Sequence, residues 1–447
     1  MKNFENSIFR FRQDLRIFDN LWLQRAIENS KTVTPLFIFD EAIIAKSLKK
    51  DPRLWFLIEA VEKLAKELES RWSHLIVKFW NPRLIVPEIV KDTKSDAIFC
   101  SKSYWINSKT RDIFISNRAK EHSVYFEQVE DFLLVPLAKV EQRKVFTPFF
   151  NKWIQHIPEN YDLVENKNIL SKKIPEDNWK KQLEKAISQI DSWKNKYRSM
   201  DFSVQRLKEF DFTNYENTRN FPYEDGSSKL SPYLRFWLLS VRELYNTVKN
   251  KSQTYVKELA RREFWQHINY YFPESNVVEF QEKRRNLKRE NNEKFFEAWK
   301  NWKTGYPIID AGMRQLKEEN RIHNRVRMIV ASFLTKDLLI DRRWWEKHFA
   351  NYLIDYDENV NIGNRQRSAS VGADPKPIRI FSPILQSQRF DPQTHYIKKY
   401  IPELKNILPG LIHDPTLHDL PYEKPIIIHK NQLPKAKNMY YQNNTLF

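Results

Sequence analysis

Asp355 and Asp357 stand two residues apart, with Asn361 four residues further on. Two carboxylates so close either hold a metal ion or solvate a turn. The asparagine adds an amide that both donates and accepts. Glu258 falls in a helical pattern. A carboxyl there is an ordinary surface charge or, in a dry pocket, a hydrogen-bond donor with a raised pKa. Ser227, Ser228 and Ser231 gather before a stretch with proline at its first helical position. Hydroxyls, free amides and a helix dipole suit a pyrophosphate, and the plainer reading is a capping cluster. Arg325 taken alone reads as a surface ion pair, worth about 0–1 kcal/mol. The only cysteine is Cys100, so no disulfide framework and no cysteine-based metal or iron–sulfur site is expected.

The elements that must position these groups fall into two kinds. Residues 32–40, 74–80, 96–104 and 123–130 read as buried strands. Between the first two, Leu54, Leu57, Ile58, Val61, Leu64, Ala65 and Leu68 make one helical face. Strand–helix–strand alternation predicts a parallel sheet covered by helices. No G-x-G-x-x-G occurs, so nothing points to a nicotinamide site. From Ser231 the pattern turns helical, with an apolar face of Leu234, Trp237, Leu238, Val241, Leu244, Tyr245 and Val248. Residues 324–340 form a second strongly periodic helix. The expected division is an α/β domain over 1–131, a connector with helical pieces such as 178–193 over 132–214, and an all-α domain over 215–447.

With 447 residues and 41% apolar composition, the chain is long enough for two or three globular domains. It shows no membrane span and no signal segment at its start, so a cytoplasmic protein is expected. The net charge of +18 favours a polyanion such as nucleic acid, or reflects a lysine-rich composition. Glycine is scarce: 6, where an average chain of this length has about thirty.

Seven segments in order resemble the DNA photolyase/cryptochrome family: "SSKLSPYLRF", "ELARREFWQHI", "AWKNWKTGYPIIDAGMRQL", "RIHNRVRMIVASFL", "LIDYDENVNIGN", "PIRIFSPILQSQRFDP" and "YIKKYIPEL". The opening "FRFRQDLRIFDN" resembles the family's N-terminal signature. The resemblance implies an α/β antenna domain with a Rossmann-like parallel sheet and a helical FAD-binding domain. It implies FAD phosphates at Ser227, Ser228, Lys229, Leu230 and Ser231, with Tyr215, Arg262, Trp265, Asn324 and Tyr356 at the same cofactor. Asp357 would face the polar edge of the isoalloxazine, Asp355 would pair with Arg327, and Asn361 would face flavin N5. Glu258 would contact the pyrimidine edge of the lesion, with Asn324 and Met328 nearby and Arg325 on a phosphate. The implied activity is light-driven repair of cyclobutane pyrimidine dimers in DNA, by electron transfer from reduced FAD to a flipped-out lesion. The partner would be damaged DNA and the protein a monomer.

The sequence departs from the family in two ways. Arg10, Arg261, Arg289, Arg321, Arg342, Arg365 and Arg367 stand where the family typically has Trp. Arg261 and Arg367 match aromatics that flank the lesion, and Arg289, Arg342 and Arg365 match the electron-relay tryptophans. Conversely, Trp72, Trp80, Trp105, Trp237, Trp302 and Trp345 stand where the family commonly has Gly, with Trp22 a further candidate. Reading UGA as glycine and CGG or CGA as tryptophan would account for both sets. The alternative is a photolyase-like flavoprotein that has lost relay and lesion stacking.

Met328, Glu258, Asn361 and the "NRQR" segment fit the microbial class I branch. The (6-4) branch has a His pair where this chain has Ile322, His323 and Asn324. A cryptochrome-like photoreceptor is the competing reading, although only 43 residues follow Leu404. For a second chromophore, Asn107 suits a folate but Ser108 replaces the Glu of folate-binding relatives. Folate, deazaflavin, a second flavin and an empty site stay open.

Overall fold

The computed structural model describes residues 2–44, 51–103, 106–167, 169–171, 181, 201–375, 378–417 and 420–441, with the side chains of 106 and 107 excepted. The expected helical piece at 178–193 and Trp105 lie outside the described residues, apart from Lys181. Two compact units interleave along the chain. One contains Met1–Pro136, Ile157–Glu209 and Leu230–Thr247, and the other Leu137–His156, Phe210–Lys229 and Val248–Phe447. The stretch 132–214 thus supplies segments to both.

The first unit is built on a five-stranded parallel sheet of order β3-β2-β1-β4-β5. Its strands are β1 (Phe4–Phe11), β2 (Ser30–Phe39), β3 (Ile76–Phe79), β4 (Ala97–Ser101) and β5 (Tyr125–Val129). β1 is a fifth strand beyond the four expected, and it lies at the centre. Polar Glu5, Asn6 and Ser7 interrupt its apolar pattern. Its register runs Ile8 to Thr34 on one side and Ile8 to Ile98 on the other. Of residues 123–130 only Tyr125–Val129 form the strand, and it is an edge strand rather than a buried one, with Tyr125 and Val129 exposed.

Helices α1 (Leu21–Asn29), α2 (Pro52–Glu69), α3 (Pro82–Thr93) and α4 (Ile106–Glu121) connect the strands. Asn20, Asp51 and Asn81 cap the first three through their side chains, and proline opens α2 and α3. α2 buries Leu54, Trp55, Phe56, Ala60, Val61, Leu64 and Leu68, so Leu57, Ile58 and Ala65 lie at the margin of the expected face. Ile8, Leu36, Ile76, Ile89, Ile98 and Ile115 form the core on the sheet.

The single helix expected from Ser231 is two, Ser231–Arg235 and Val241–Val248. Leu230 takes the cap position and Ser231 is the first helical residue. The break falls at Trp237, whose φ of 48° no right-handed helix accepts.

The second unit is helical: α5 (Phe146–Trp153), α6 (Tyr215–Thr218), α7 (Gln253–Tyr271), α8 (Pro307–Glu319), α9 (Asn324–Ser332), α10 (Arg342–Tyr352) and α11 (Glu358–Ser368) carry the site and its core. The run expected to be one helix over 324–340 closes instead with a π turn at Phe333–Asp337. Ile309, Met313 and Leu316 of α8 meet Val326 and Val330 of α9 in the core. Gly312 sets that approach, because a Cβ there would lie 2.5 Å from the Val326 side chain.

Candidate functional site

α7 is the axis of the site, packing against α5, α6 and α11, while α9 packs against α11. The closest approach is at Gly363 of α11, where a Cβ would fall 2.2 Å from the Trp265 ring on α7. Glycine is required there by space rather than by φ.

At the start of α7, Ser228 and Tyr255 share a buried hydrogen bond of 2.7 Å between their hydroxyls. The Tyr215 ring lies 4.9 Å from that of Tyr255. Burial pushes the Tyr215 phenol up to about 12. Lys229 adopts φ 59° and ion-pairs with Asp225. Ser227 is half-buried beside them. Leu230 and Ser231 begin the segment that belongs to the other compact unit.

At the start of α11, Asp357 is the helix cap, accepting from the Val360 amide at 3.1 Å. Gln266 of α7 reaches the same carboxylate at 3.3 Å, and Asn359 donates to Gln266 Oε1 at 2.6 Å. Asn361 is buried and its Nδ2 donates to the Asp357 carbonyl at 2.8 Å. Arg327 Nη2 lies 3.4 Å from Asp355 Oδ1. These acids are spoken for by capping and pairing. Among the described residues no group of three or more His, Cys, Asp or Glu is arranged to hold a metal.

Glu258, one turn after Tyr255, is partly open to solvent, nearer the surface-charge reading than the dry-pocket one. Its side chain is 36% exposed and accepts from Arg219 Nη2 at 2.9 Å. Arg219 also lies 4.9 Å over the Tyr215 ring. Arg261 stacks 3.8 Å over Phe146, and burial with repulsion from Arg367 lowers its pKa. Arg367 is one-third exposed and 3.8 Å from Asp374. Asn324 is exposed at the first turn of α9; Met328 and Arg262 are half-buried.

Arg325 donates to Asn220 Oδ1 at 2.6 Å and lies 4.1 Å over Phe390. Burial and then the charges of Arg219 and Arg389 lower its pKa. Three guanidinium groups held together in this way suit an anion. Of the relay positions, Arg342 and Arg365 are buried, both leaning on Glu346, at 3.0 Å and 3.4 Å. Arg289 is 3.8 Å from Asp341. Sequence reasoning missed Arg219, Asn220, Gln266 and Asn359; the last two lie inside the segments "ELARREFWQHI" and "LIDYDENVNIGN", but their types alone point to no chemistry.

Arg327 Nε and Trp265 Nε1 are buried and, among the described residues, have no acceptor. Unmet donors fit an acceptor-rich flavin dinucleotide.

Comparison with known proteins agrees with this geometry. Residues 255–442 match the FAD binding domain of DNA photolyase, and residues 7–166 match DNA photolyase. A deoxyribodipyrimidine photo-lyase of Buchnera aphidicola is 33% identical, over 98% of this chain and 97% of its own. The archaeal photolyase of Sulfolobus tokodaii, solved with two FAD molecules, is 34% identical with TM-score 0.90, covering 98% and 100%. A cryptochrome of Synechocystis shares the fold at TM-score 0.86 and 24% identity, covering 98% and 100%. The fold and site define an FAD-dependent enzyme with an α/β unit and a helical flavin-binding unit. The chain belongs to the DNA photolyase family, and its enzyme class is that of the deoxyribodipyrimidine photolyases.

Proposed function

We propose that this protein repairs cyclobutane pyrimidine dimers in DNA under blue or near-UV light, in the manner of the microbial class I branch. The observation that carries this reading is the cationic group of Arg219, Arg325 and Arg389 in the flavin-binding unit. It suits phosphates beside a lesion.

Bound reduced FAD would supply the photochemistry, giving one electron to the dimer and recovering it after the ring splits. The chain's own residues bind and orient. The hydroxyls of Ser227, Ser228 and Ser231, with Lys229 and Leu230, would take the pyrophosphate side. Tyr215, Arg262, Trp265, Tyr356 and the Arg327–Asp355 and Asp357–Gln266 pairs would hold the cofactor. Asn361, fixed by its donation to the Asp357 carbonyl, would present its amide oxygen to the ring. Glu258 and Met328 would meet the flipped bases, with Asn324 alongside. Arg261, Arg325 and Arg367 would hold the DNA.

We further propose a monomer acting in the cytoplasm, with a second chromophore. The two FAD molecules of the Sulfolobus relative favour a flavin over a folate or deazaflavin. No helix of the described residues is long and apolar enough to cross a membrane.

An oligonucleotide with one defined cyclobutane dimer tests the reading. Light-dependent restoration by the reduced protein, absent in the dark, is the expected result. Light-driven flavin reduction without repair would favour a photoreceptor instead, and repair confined to a (6-4) lesion would move the protein to that branch.

A further inference from the structure

Three tryptophans adopt the left-handed backbone: Trp72 at φ 60°, Trp237 at 48° and Trp302 at 51°. All three lie just past a helix cap, Trp237 and Trp302 by one residue and Trp72 by two, in the doubly bonded turn that closes a helix. After α2, the Ser73 amide reaches the Leu68 carbonyl at 2.9 Å and the Trp72 amide reaches Glu69 at 3.0 Å. After Ser231–Arg235, Leu238 reaches Tyr233 at 2.9 Å and Trp237 reaches Leu234 at 3.4 Å. After the helix Glu293–Lys300, Lys303 reaches Ala298 at 2.8 Å and Trp302 reaches Trp299 at 3.3 Å. This is the most glycine-selective position of a helix, because any Cβ is strained there. Packing does not account for Trp72, which is 94% exposed. Lys94, Ser123 and Ser370 close three further turns of this kind, so all six lack glycine.

The opposite anomaly lies in the cores of the two units. Arg10, Arg289, Arg342 and Arg365 all have buried side chains. Among the described residues, none of the three guanidinium nitrogens of Arg365 meets an acceptor in good hydrogen-bond geometry, with Glu346 3.4 Å from Nη1 and the Tyr356 side chain adjacent. The same lack of a well-placed acceptor holds for Nε and Nη2 of Arg342, Nε and Nη1 of Arg10, and Nη2 of Arg289. Burial drives the Arg10 guanidinium down to about 9 and lowers Arg342 and Arg365 as well. Arg365 faces the ring of Tyr356 at 5.1 Å. Each of the four keeps a carboxylate partner yet leaves further buried donors unmet, and such a buried space suits a neutral aromatic side chain better than a cation satisfied only in part. The neighbouring acids do not depend on these cations: Glu279 keeps Arg343 at 3.0 Å, and Glu346 is partly open to solvent.

We infer that the polypeptide made from this gene carries glycine at positions 72, 237 and 302 and tryptophan at positions 10, 289, 342 and 365. UGA is decoded as glycine, and CGA or CGG as tryptophan. One codon rule produces each set, and each rule relieves one kind of physical misfit.

Protein isolated from its own cells, cut with trypsin and sequenced by mass spectrometry, tests this whether or not it repairs DNA. Peptides that run uncut through positions 342 and 365 as tryptophan, with glycine at 237 and 302, are expected. The gene should carry CGA or CGG at the first pair and UGA at the second. Cleavage after Arg342 and Arg365, with tryptophan retained at 237 and 302, would overturn the inference. So would AGA, AGG, CGU or CGC codons at the two arginines.

Discussion

Arg219 donates through Nη2 to Glu258 Oε1 across 2.9 Å. This ties the residue proposed to read the lesion to an arginine that also covers Tyr215. The bond is charge-assisted and, at this partial exposure, is worth at the lower end of about 1.5–3 kcal/mol. Arg219→Ala should therefore weaken binding of dimer-containing DNA by about tenfold. Flavin content should fall less than DNA binding, because Ser228 and Tyr255 are untouched and Tyr215 loses only the guanidinium over its ring. Binding titrations against intact and dimer-containing duplexes check this, and equal loss on both would mean that Arg219 serves phosphates alone.

Gly363→Ala places a methyl group 2.2 Å from the Trp265 ring. Either α11 or Trp265 must then move, at a cost of about 1–3 kcal/mol for an overpacked core. The unfolding midpoint should fall and bound flavin should be lost, as read by calorimetry and by flavin absorbance. An unchanged midpoint with full flavin content would show that the α7–α11 seam is not what shapes the site.

The parallel sheet was legible because β2, β3 and β4 are short apolar runs between helical patterns. β1 was not, since Glu5, Asn6 and Ser7 dilute it and its centrality is a tertiary fact. The edge position of β5 was equally invisible, because burial depends on which strand is last in the sheet. Helix continuity over 231–248 failed at Trp237, where periodicity carries no information on φ. Asp355, Asp357 and Asn361 could be singled out by type and spacing. Arg219, Gln266 and Asn359 could not, because their partners lie 39 and 91–93 residues away.

Acid should destabilise the fold well above the carboxylate range. Burial, with Arg143 adjacent, holds His267 down to about 4, and burial with Arg321, Arg325 and Arg327 nearby holds His323 down to about 3. An unfolded histidine titrates near pH 6.5. Between about 6.5 and those folded values the unfolded chain binds more protons, so stability is full above 6.5 and falls as the pH drops. His323 accepts the Arg325 amide as the cap of α9. Asparagine can accept the same bond, so His323→Asn should keep stability at pH 7 within about 1 kcal/mol and flatten the loss between pH 6.5 and 4. Denaturant melts at pH 7 and pH 5 measure the difference; an equal loss in both proteins would remove His323 from the cause.

Arg325 carries the strongest expectation about DNA. Its guanidinium is held over Phe390 by Asn220 and stands close to Arg389 and to Arg219, which is itself paired with Glu258, so the group keeps a net positive charge for an anion. A phosphate contact releases counterions, and removing one lowers the slope of log K against log salt by about 1. Arg325→Ala should therefore weaken binding to damaged and undamaged duplexes alike and reduce the salt slope by about that amount. Asn220→Ala, which frees the guanidinium without removing its charge, should weaken binding less and leave the slope nearly unchanged. Titrations across a range of salt concentrations separate the two. An unchanged slope in Arg325→Ala would mean that its charge faces no phosphate, and the cationic group would then no longer support DNA as the partner.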